Sequence, residues 1–242
     1  MGIRTAIGKF FKRYFFYRSW RCVACKKEIF VESGFCEECK NSLPFNDQNV
    51  CDHCGRKLNV AALFCSTCKG NLVYLDKCRS AFDYDKPIST LIKRLKYDNG
   101  RYLADVFSEY LANVFFKNFI GTDVITFVPA TDKSIKKRGF NQSKLLAEKT
   151  AERVDIPVVD CLIKVKETDR QAKLNREQRQ KNLLEAFKVR DKKLIKDKNV
   201  LIIDDVTTTG STAHAVSQKL KKAGAKEIYL LTIASVAPSD KY

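Results

Sequence analysis

The sequence predicts an α/β fold: a mostly parallel sheet with helices on both faces, preceded by a small cysteine-rich domain. From Arg79 onward, short β-rich runs alternate with segments of helical periodicity, which is the grammar of a covered parallel sheet. Before that point, eight of the ten cysteines crowd into residues 22–68. A third observation locates the chemistry. Residues 200–212 read VLIIDDVTTTGST, four aliphatic residues running into two carboxylates and then five hydroxyls around one glycine.

The cysteines come first in the chain. They form Cys22-x2-Cys25-x10-Cys36-x2-Cys39 and Cys51-x2-Cys54-x10-Cys65-x2-Cys68, each member of the second quartet 29 residues after its counterpart. This is an internal repeat. A Cys-x2-Cys turn aims two thiolates at one tetrahedral ion, and two such turns close a four-cysteine zinc site. A segment this short of apolar residues folds on a metal rather than on a core. Two structural zinc ions are therefore expected. Sequential pairing, giving two stacked ribbons, and interleaved pairing, giving a cross-braced pair, both satisfy the spacing. His53 is expected to be a bystander, and Cys78 and Cys161 to be ordinary buried thiols.

Helices are expected over 88–97 and 101–118, with Leu91, Ile92, Leu95, then Leu103, Val106, Phe107, Leu111 and Val114 on one side. A strand at 123–130 (DVITFVPA), a helix near 142–153 and a weaker strand at 161–165 follow. A charged helix near 173–184 precedes the strand NVLIIDD; a helix over 211–223 ends at Gly224, and EIYLLTIAS is the last strand. In such sheets ligands bind at the carboxyl ends of the strands, where DDVTTTGST falls.

The loop after Asp205 opens a helix, so backbone N–H groups and the positive end of the helix dipole point outward together. Gly210 lets the backbone approach a ligand, and Thr207, Thr208, Thr209, Ser211 and Thr212 add hydroxyls. This is a phosphate cradle. Carboxylates would repel a bare phosphate, so Asp204 and Asp205 imply a ligand that also carries vicinal hydroxyls or hydrated magnesium, as a ribose 5-phosphate does. No Walker-type or dinucleotide glycine motif is present. His53 and His214 are the only histidines, and they make no believable Ser–His–Asp relay.

The 242 residues carry a formal net charge of +17, which points to polyanionic partners: nucleic acid, an acidic membrane surface or phosphorylated small molecules. No acidic residue precedes Glu28, whereas Arg4, Lys9, Lys12, Arg13, Arg18, Arg21, Lys26 and Lys27 do. The first stretch also carries Phe10, Phe11, Tyr14, Phe15 and Phe16, which suit base stacking or an amphipathic helix packed on the ribbon or on a membrane. It lacks an apolar core and a cleavage site, and no run approaches the roughly 20 apolar residues of a bilayer span. A cytoplasmic protein is expected.

VLIIDDVTTTGST resembles the phosphoribosyl-pyrophosphate motif of type I phosphoribosyltransferases. PATDKSIKKRGFNQSKLLA, TDRQAKLNREQRQKNLLEAF and LIKRLKYDNGRYLA are similar to blocks of the ComF/GntX family of competence-related proteins. In the second block Thr168, Gln171, Leu174, Arg176, Arg179, Asn182, Ala186 and Phe187 stand at matching places, and in the third Lys96 and Tyr97 do. The cysteine quartets resemble the double zinc ribbon of the longer members.

Three regions are expected: a basic aromatic segment at 1–21, read from its composition, then, as the resemblance implies, a double zinc ribbon at 22–75 and a phosphoribosyltransferase-like domain at 76–242. It implies that Asp204 and Asp205 hold the ribose hydroxyls and that Thr207–Thr212 hold the 5-phosphate of phosphoribosyl pyrophosphate. The turn from Ala130 through Thr131 to Arg138 would face the diphosphate with magnesium, Lys133, Lys137 and Arg138 being the nearest cations. Residues 168–182, with Arg170, Lys173, Arg176 and Arg179, would close over the site. Two readings stay open. One is a magnesium-dependent phosphoribosyltransferase with an unidentified acceptor. The other is a non-catalytic, single-stranded-DNA-handling competence factor, acting beside a helicase-like partner, in which the site is a sensor, a relic or a grip on single-stranded DNA.

Overall fold

The structure, a computed structural model, describes residues 21–29, 34–46, 49–58, 62–65, 68–69, 74–97, 99–166 and 182–236. The N-terminal aromatic stretch up to residue 20, the four cations Arg170, Lys173, Arg176 and Arg179, and most of the expected helix at 173–184 lie outside these residues. Residues 182–185 are helical. The chain divides into two compact units, residues 1–43 and 44–242.

In the larger unit a four-stranded, all-parallel sheet runs in the order β1-β6-β5-β2, built from β1 (Lys77–Asp83), β2 (Val124–Phe127), β5 (Asn199–Thr207) and β6 (Glu227–Ser235). The aliphatic run Val200–Ile203 is fully buried. A strand covered on both faces needs such an unbroken run rather than alternation. Helix α1 (Glu37–Asn41) follows its N-cap Cys36 in the smaller unit; in the larger unit α2 (Ile88–Tyr97) buries Ile88, Leu91, Ile92 and Leu95, spaced one and two turns apart on a single face. A 3₁₀ turn, Gly100–Tyr102, leads into α3 (Leu103–Asn118), which packs against α5 (Gln142–Val154). Helix α6 (Ser211–Lys222) joins β5 to β6. No described helix is long and apolar enough to cross a membrane.

Three expectations change. The segment at 161–165 does not join the main sheet: β3 (Leu162–Lys164) pairs antiparallel with β4 (Phe187–Val189) in a sheet of their own. The outer edge of β2 is already occupied, because Ile125 donates to the Pro157 carbonyl, Val159 donates to the Ile125 carbonyl, and Thr126 Oγ1 donates to the Val159 carbonyl. The turn expected after ITFVPA contains a short helix, α4 (Asp132–Arg138). Strand β1 was not foreseen. Its KCRSAFD mixes charge with small residues, and its burial comes from what packs on it rather than from an apolar run.

Candidate functional site

Each cysteine quartet closes on itself, which settles the pairing as sequential: the sulfurs of Cys22, Cys25, Cys36 and Cys39 lie within 4.8 Å of one another, and so do those of Cys51, Cys54, Cys65 and Cys68. The Cys25–Cys36 and Cys54–Cys65 sulfurs are 3.7 and 3.8 Å apart. A tetrahedral zinc with bonds of about 2.3 Å has sulfur–sulfur edges of about 3.8 Å, whereas a disulfide needs about 2.05 Å. Both clusters therefore fit structural zinc. The turns repeat as well: the Cys22 N–H donates to the Lys27 carbonyl and the Cys51 N–H to the Arg56 carbonyl. Lys26 and Gly55, each following the second cysteine, both take the left-handed conformation, with φ of 70° and 67°. His53 stays outside the cluster; its ring stacks on Phe64 and its Nδ1 lies 3.2 Å from the Leu75 carbonyl oxygen. Cys78 and Cys161 are buried, and burial pushes both thiols up.

The second site lies at the carboxyl end of β5. The strand continues past the acidic pair to Thr207, because β6 keeps pairing with it through Ser235. Asp204 and Asp205 are thus strand residues, and consecutive strand residues take different partners. Asp204 Oδ1 accepts from Ser143 Oγ at 2.7 Å and from the Asp205 N–H at 2.9 Å. Asp205, nearly fully buried, forms an ion pair with Lys96 and accepts from Gln142 Nε2. Arg138 donates to Gln142 Oε1 at 2.9 Å and to the Tyr97 hydroxyl at 3.1 Å, and its guanidinium lies over the Tyr97 ring. Lys96, Asp205, Gln142, Arg138 and Tyr97 thereby form a closed polar ring, shut by the Lys96–Tyr97 backbone. Burial, then the adjacent Asp205 carboxylate, raises Asp204 to about 7; the Ser143 hydrogen bond acts the other way.

The segment RGFNQS supplies most of this ring, and each residue has a physical task. Arg138 ends α4, and Gly139 turns the chain at φ 79°, its carbonyl accepting from Arg101. Phe140 carries the Arg101 guanidinium on its ring. Asn141 caps α5, accepting from the Ser143 and Lys144 N–H groups and donating to the Val128 carbonyl. Gln142 and Ser143 then reach the two acids. Only the family blocks pointed to Lys96, Tyr97 and Gln142, and gave them no role; Ser143, polar and buried at a helix start, was missed.

A cleft of about 220 Å³ is lined by Thr131, Ser134, Arg138, Gln142, Asp204, Asp205 and Thr212, with Lys164 and Phe187 from the β3–β4 pair. The Thr207–Thr212 turn lines a smaller recess beside it; Asp204 and Thr212 border both. Thr207 is buried as the last residue of β5. Gly210 has φ 74° and open space where a Cβ would stand, and the hydroxyls of Thr209 and Ser211 are 2.8 Å apart. Thr131 caps α4 and is buried. Lys133 and Lys137 are exposed on α4 and are not among the residues lining the cleft, so Arg138 is the cation of that segment placed at it.

The phosphoribosyl transferase domain family matches residues 135–241, and the double zinc ribbon domain family matches residues 15–78. Competence protein F of Haemophilus influenzae is 31% identical over 227 residues, covering 89% of this chain and 97% of that protein. DNA utilization protein YhgH of Salmonella typhi is 30% identical over 155 residues, 62% of this chain and 67% of that one. Among solved structures, glutamine phosphoribosylpyrophosphate amidotransferase from B. subtilis aligns with a TM-score of 0.40 at 24% identity, over 56% of this chain and 27% of that one. The fold is that of a type I phosphoribosyltransferase preceded by a double zinc ribbon.

Proposed function

The chain belongs to the ComF family of competence proteins, and from that premise we propose that its strand-end site binds phosphoribosyl pyrophosphate with magnesium and serves DNA uptake. One observation carries the reading: Asp204 and Thr212 border both the acidic cleft and the hydroxyl-lined recess, so a single ligand reaches both. The recess takes a 5-phosphate on the N-terminus of α6, with Thr208, Thr209 and Ser211 adding hydrogen bonds. The carboxylates of Asp204 and Asp205 take the ribose hydroxyls, and Arg138 meets the diphosphate.

The donor set also fits magnesium, since the site offers hard carboxylate oxygens and Asp204 Oδ2 makes no protein contact among the described residues. Asp204 and Asp205 would hold it through the hydroxyls or water, and it would neutralise charge developing on the diphosphate. Transfer of the phosphoribosyl group to a nucleophilic acceptor breaks the bond from C1 to the diphosphate. Positive charge then grows on the sugar, where the two carboxylates stabilise it, while Arg138 steadies the leaving diphosphate. Calorimetric titration of magnesium phosphoribosyl pyrophosphate into the zinc-loaded chain tests the reading. Binding is expected for wild type and is lost in Asp204→Asn/Asp205→Asn; a well-folded wild type that takes up no ligand would overturn it.

A second reading rests on charge. A net +17 exceeds what one phosphorylated ligand requires, and it favours binding of single-stranded DNA with strong salt dependence.

A further inference from the structure

The lysines of the larger unit are not spread evenly. Among the described residues, Lys96 and Lys164 are the lysines placed at the proposed ligand site, whereas a dense group lies at the opposite edge of the sheet, where the strands begin. The segments 191–198 (DKKLIKDK) and 219–227 (KLKKAGAKE) hold eight lysines against three acidic residues. The first leads into β5 and the second joins the end of α6 to β6, so a parallel sheet brings both to one edge. Hydrogen bonds stitch them together: the Lys226 N–H donates to the Lys198 carbonyl, the Asp197 N–H to the Gly224 carbonyl, and Lys221 Nζ to the Lys226 carbonyl.

Lys192, Lys193, Lys196, Lys221, Lys222 and Lys226 are all exposed. Among the described residues, Lys221 alone of these six has an ion-pair partner within 4.0 Å, the half-exposed Asp76. Five carboxylates among the described residues share this edge, and three of them accept backbone N–H groups: Asp191 from Lys193, Asp76 from Ile228 and Asp123 from Asn199. With Asp197 and Glu227 they are fewer than the eight lysines of the two segments, so the edge keeps a positive surplus.

The same edge exposes apolar surface that the fold does not use. Phe116, in the last turn of α3, is 53% exposed, and Ile120, in the following loop, is 80% exposed. That loop is held at the edge by Asn199, which donates to the Gly121 carbonyl, and Lys77 at the start of β1 donates to the Asn118 carbonyl. A lysine-dominated surface is unlike the core of a protein interface, which is depleted in lysine. A surplus of exposed ammonium groups on the same edge as an exposed aromatic ring suits a single strand, its phosphates on the lysines and a base on the ring.

We infer that the strand-start edge of the sheet is a binding surface for single-stranded DNA, separate from the phosphoribosyl site. It rests on the second reading above. The two surfaces lie at opposite ends of β5, whose nine residues span on the order of 30 Å. DNA and the phosphoribosyl ligand therefore bind together rather than in competition.

The test uses the full zinc-loaded chain and a fluorescent single strand of about 30 nucleotides, read by anisotropy between about 50 and 200 mM salt. Two triple variants, Lys192→Gln/Lys193→Gln/Lys196→Gln and Lys221→Gln/Lys222→Gln/Lys226→Gln, and their combination are compared with wild type. The combined variant is expected to bind at least about tenfold more weakly, with a log–log salt slope shallower by about four. Each triple should fall between, which keeps the test valid if the combination misfolds. Phe116→Ala should weaken binding roughly fivefold with the slope unchanged.

Wild-type DNA affinity in both triple variants overturns the inference, and so does displacement of the strand by magnesium phosphoribosyl pyrophosphate. Unchanged binding in Phe116→Ala overturns the single-strand assignment. If the triples lose binding to phosphatidylserine vesicles but keep DNA, the surface belongs to a membrane and the inference fails. Calorimetry with the phosphoribosyl ligand on the same variants is expected to match wild type, so failure here is distinguishable from failure of the first site.

Discussion

The two ribbons have the same cysteine spacing and the same turn, yet they belong to different bodies. The first quartet lies in the unit of residues 1–43, where Val23, Ile29, Phe35 and Leu43 are buried. The second is part of the larger unit and is fastened to β1. Residues 44–46 run antiparallel to that strand, with the Asn46 N–H on the Ala81 carbonyl and the Asp83 N–H on the Pro44 carbonyl. The Cys78 N–H donates to the Asp52 carbonyl, and Arg79 pairs with Asp52 at 2.6 Å. Phe45 packs on Phe82 and Tyr110. One ribbon is thus a module, and its copy is a wall of the phosphoribosyltransferase-like unit. A repeat in sequence duplicates a metal-binding turn but leaves each copy free to acquire its own neighbours.

Loss of a zinc ligand should show this most strongly, because a structural zinc contributes on the order of 10 kcal/mol to folding. Cys51→Ser is expected to remove one zinc and lower the main unfolding transition. Cys22→Ser is expected to remove one zinc and leave that transition in place. Metal analysis with scanning calorimetry decides the matter, and equal shifts in the two variants would erase the distinction.

The residue after each second cysteine gives a smaller contrast. An alanine Cβ at Gly55 would meet the Cys78 carbonyl oxygen and sulfur at 3.0 Å in a left-handed conformation, so Gly55→Ala should cost about 1–3 kcal/mol. Lys26 already holds a side chain at φ 70°, and Lys26→Gly should change stability by less than about 1 kcal/mol. Chemical denaturation measures both.

Ion pairs differ in the same direction. Arg79→Met, which breaks the partly buried pair with Asp52, is expected to cost about 1 kcal/mol. Lys27→Met, which removes the exposed pair with Glu38, should leave the unfolding midpoint unchanged.

A different readout, ligand affinity against pH, separates the acidic site from both ribbons. Asp204 titrates near 7 in the folded chain, against about 3.9 when unfolded. The folded state therefore holds the extra proton between these values, and the stability this residue contributes at low pH is lost as pH rises through 7. A ligand that needs the ionised form must displace that proton. Affinity for magnesium phosphoribosyl pyrophosphate should rise roughly eightfold from pH 6 to pH 7.5 and level above about pH 8, at constant zinc content. A flat profile would show that Asp204 does not change charge on binding.

Much of this was legible in advance. The 29-residue cysteine repeat announced two metal turns because ligand spacing is a local property. Val200–Ile203 announced a buried strand, and the hydroxyls around Gly210 announced a helix start shaped for an anion. Strand β1 was not legible, since Arg79 pairs with Asp52, 27 residues away, and Phe82 packs against Phe45 and Tyr110 from distant segments. Nor was the departure of β3 from the main sheet, which depends on residues 157–159 taking the edge of β2 first.

By itself the sequence determined the zinc-binding turns, the longer helices and strands after residue 84 (Ile88–Tyr97, Leu103–Asn118, Gln142–Val154, Asn199–Thr207, Ser211–Lys222 and Glu227–Ser235), and the acidic, hydroxyl-rich strand end, because each follows from spacing or periodicity within about a dozen residues. Only the tertiary structure decided which cysteines share an ion, that the second ribbon joins the larger unit, and that Gln142, Ser143 and Lys96 hold the two acids. Those are contacts between residues 11 to 109 positions apart, and a buried carboxylate finds its partners through packing rather than through its neighbours in the chain.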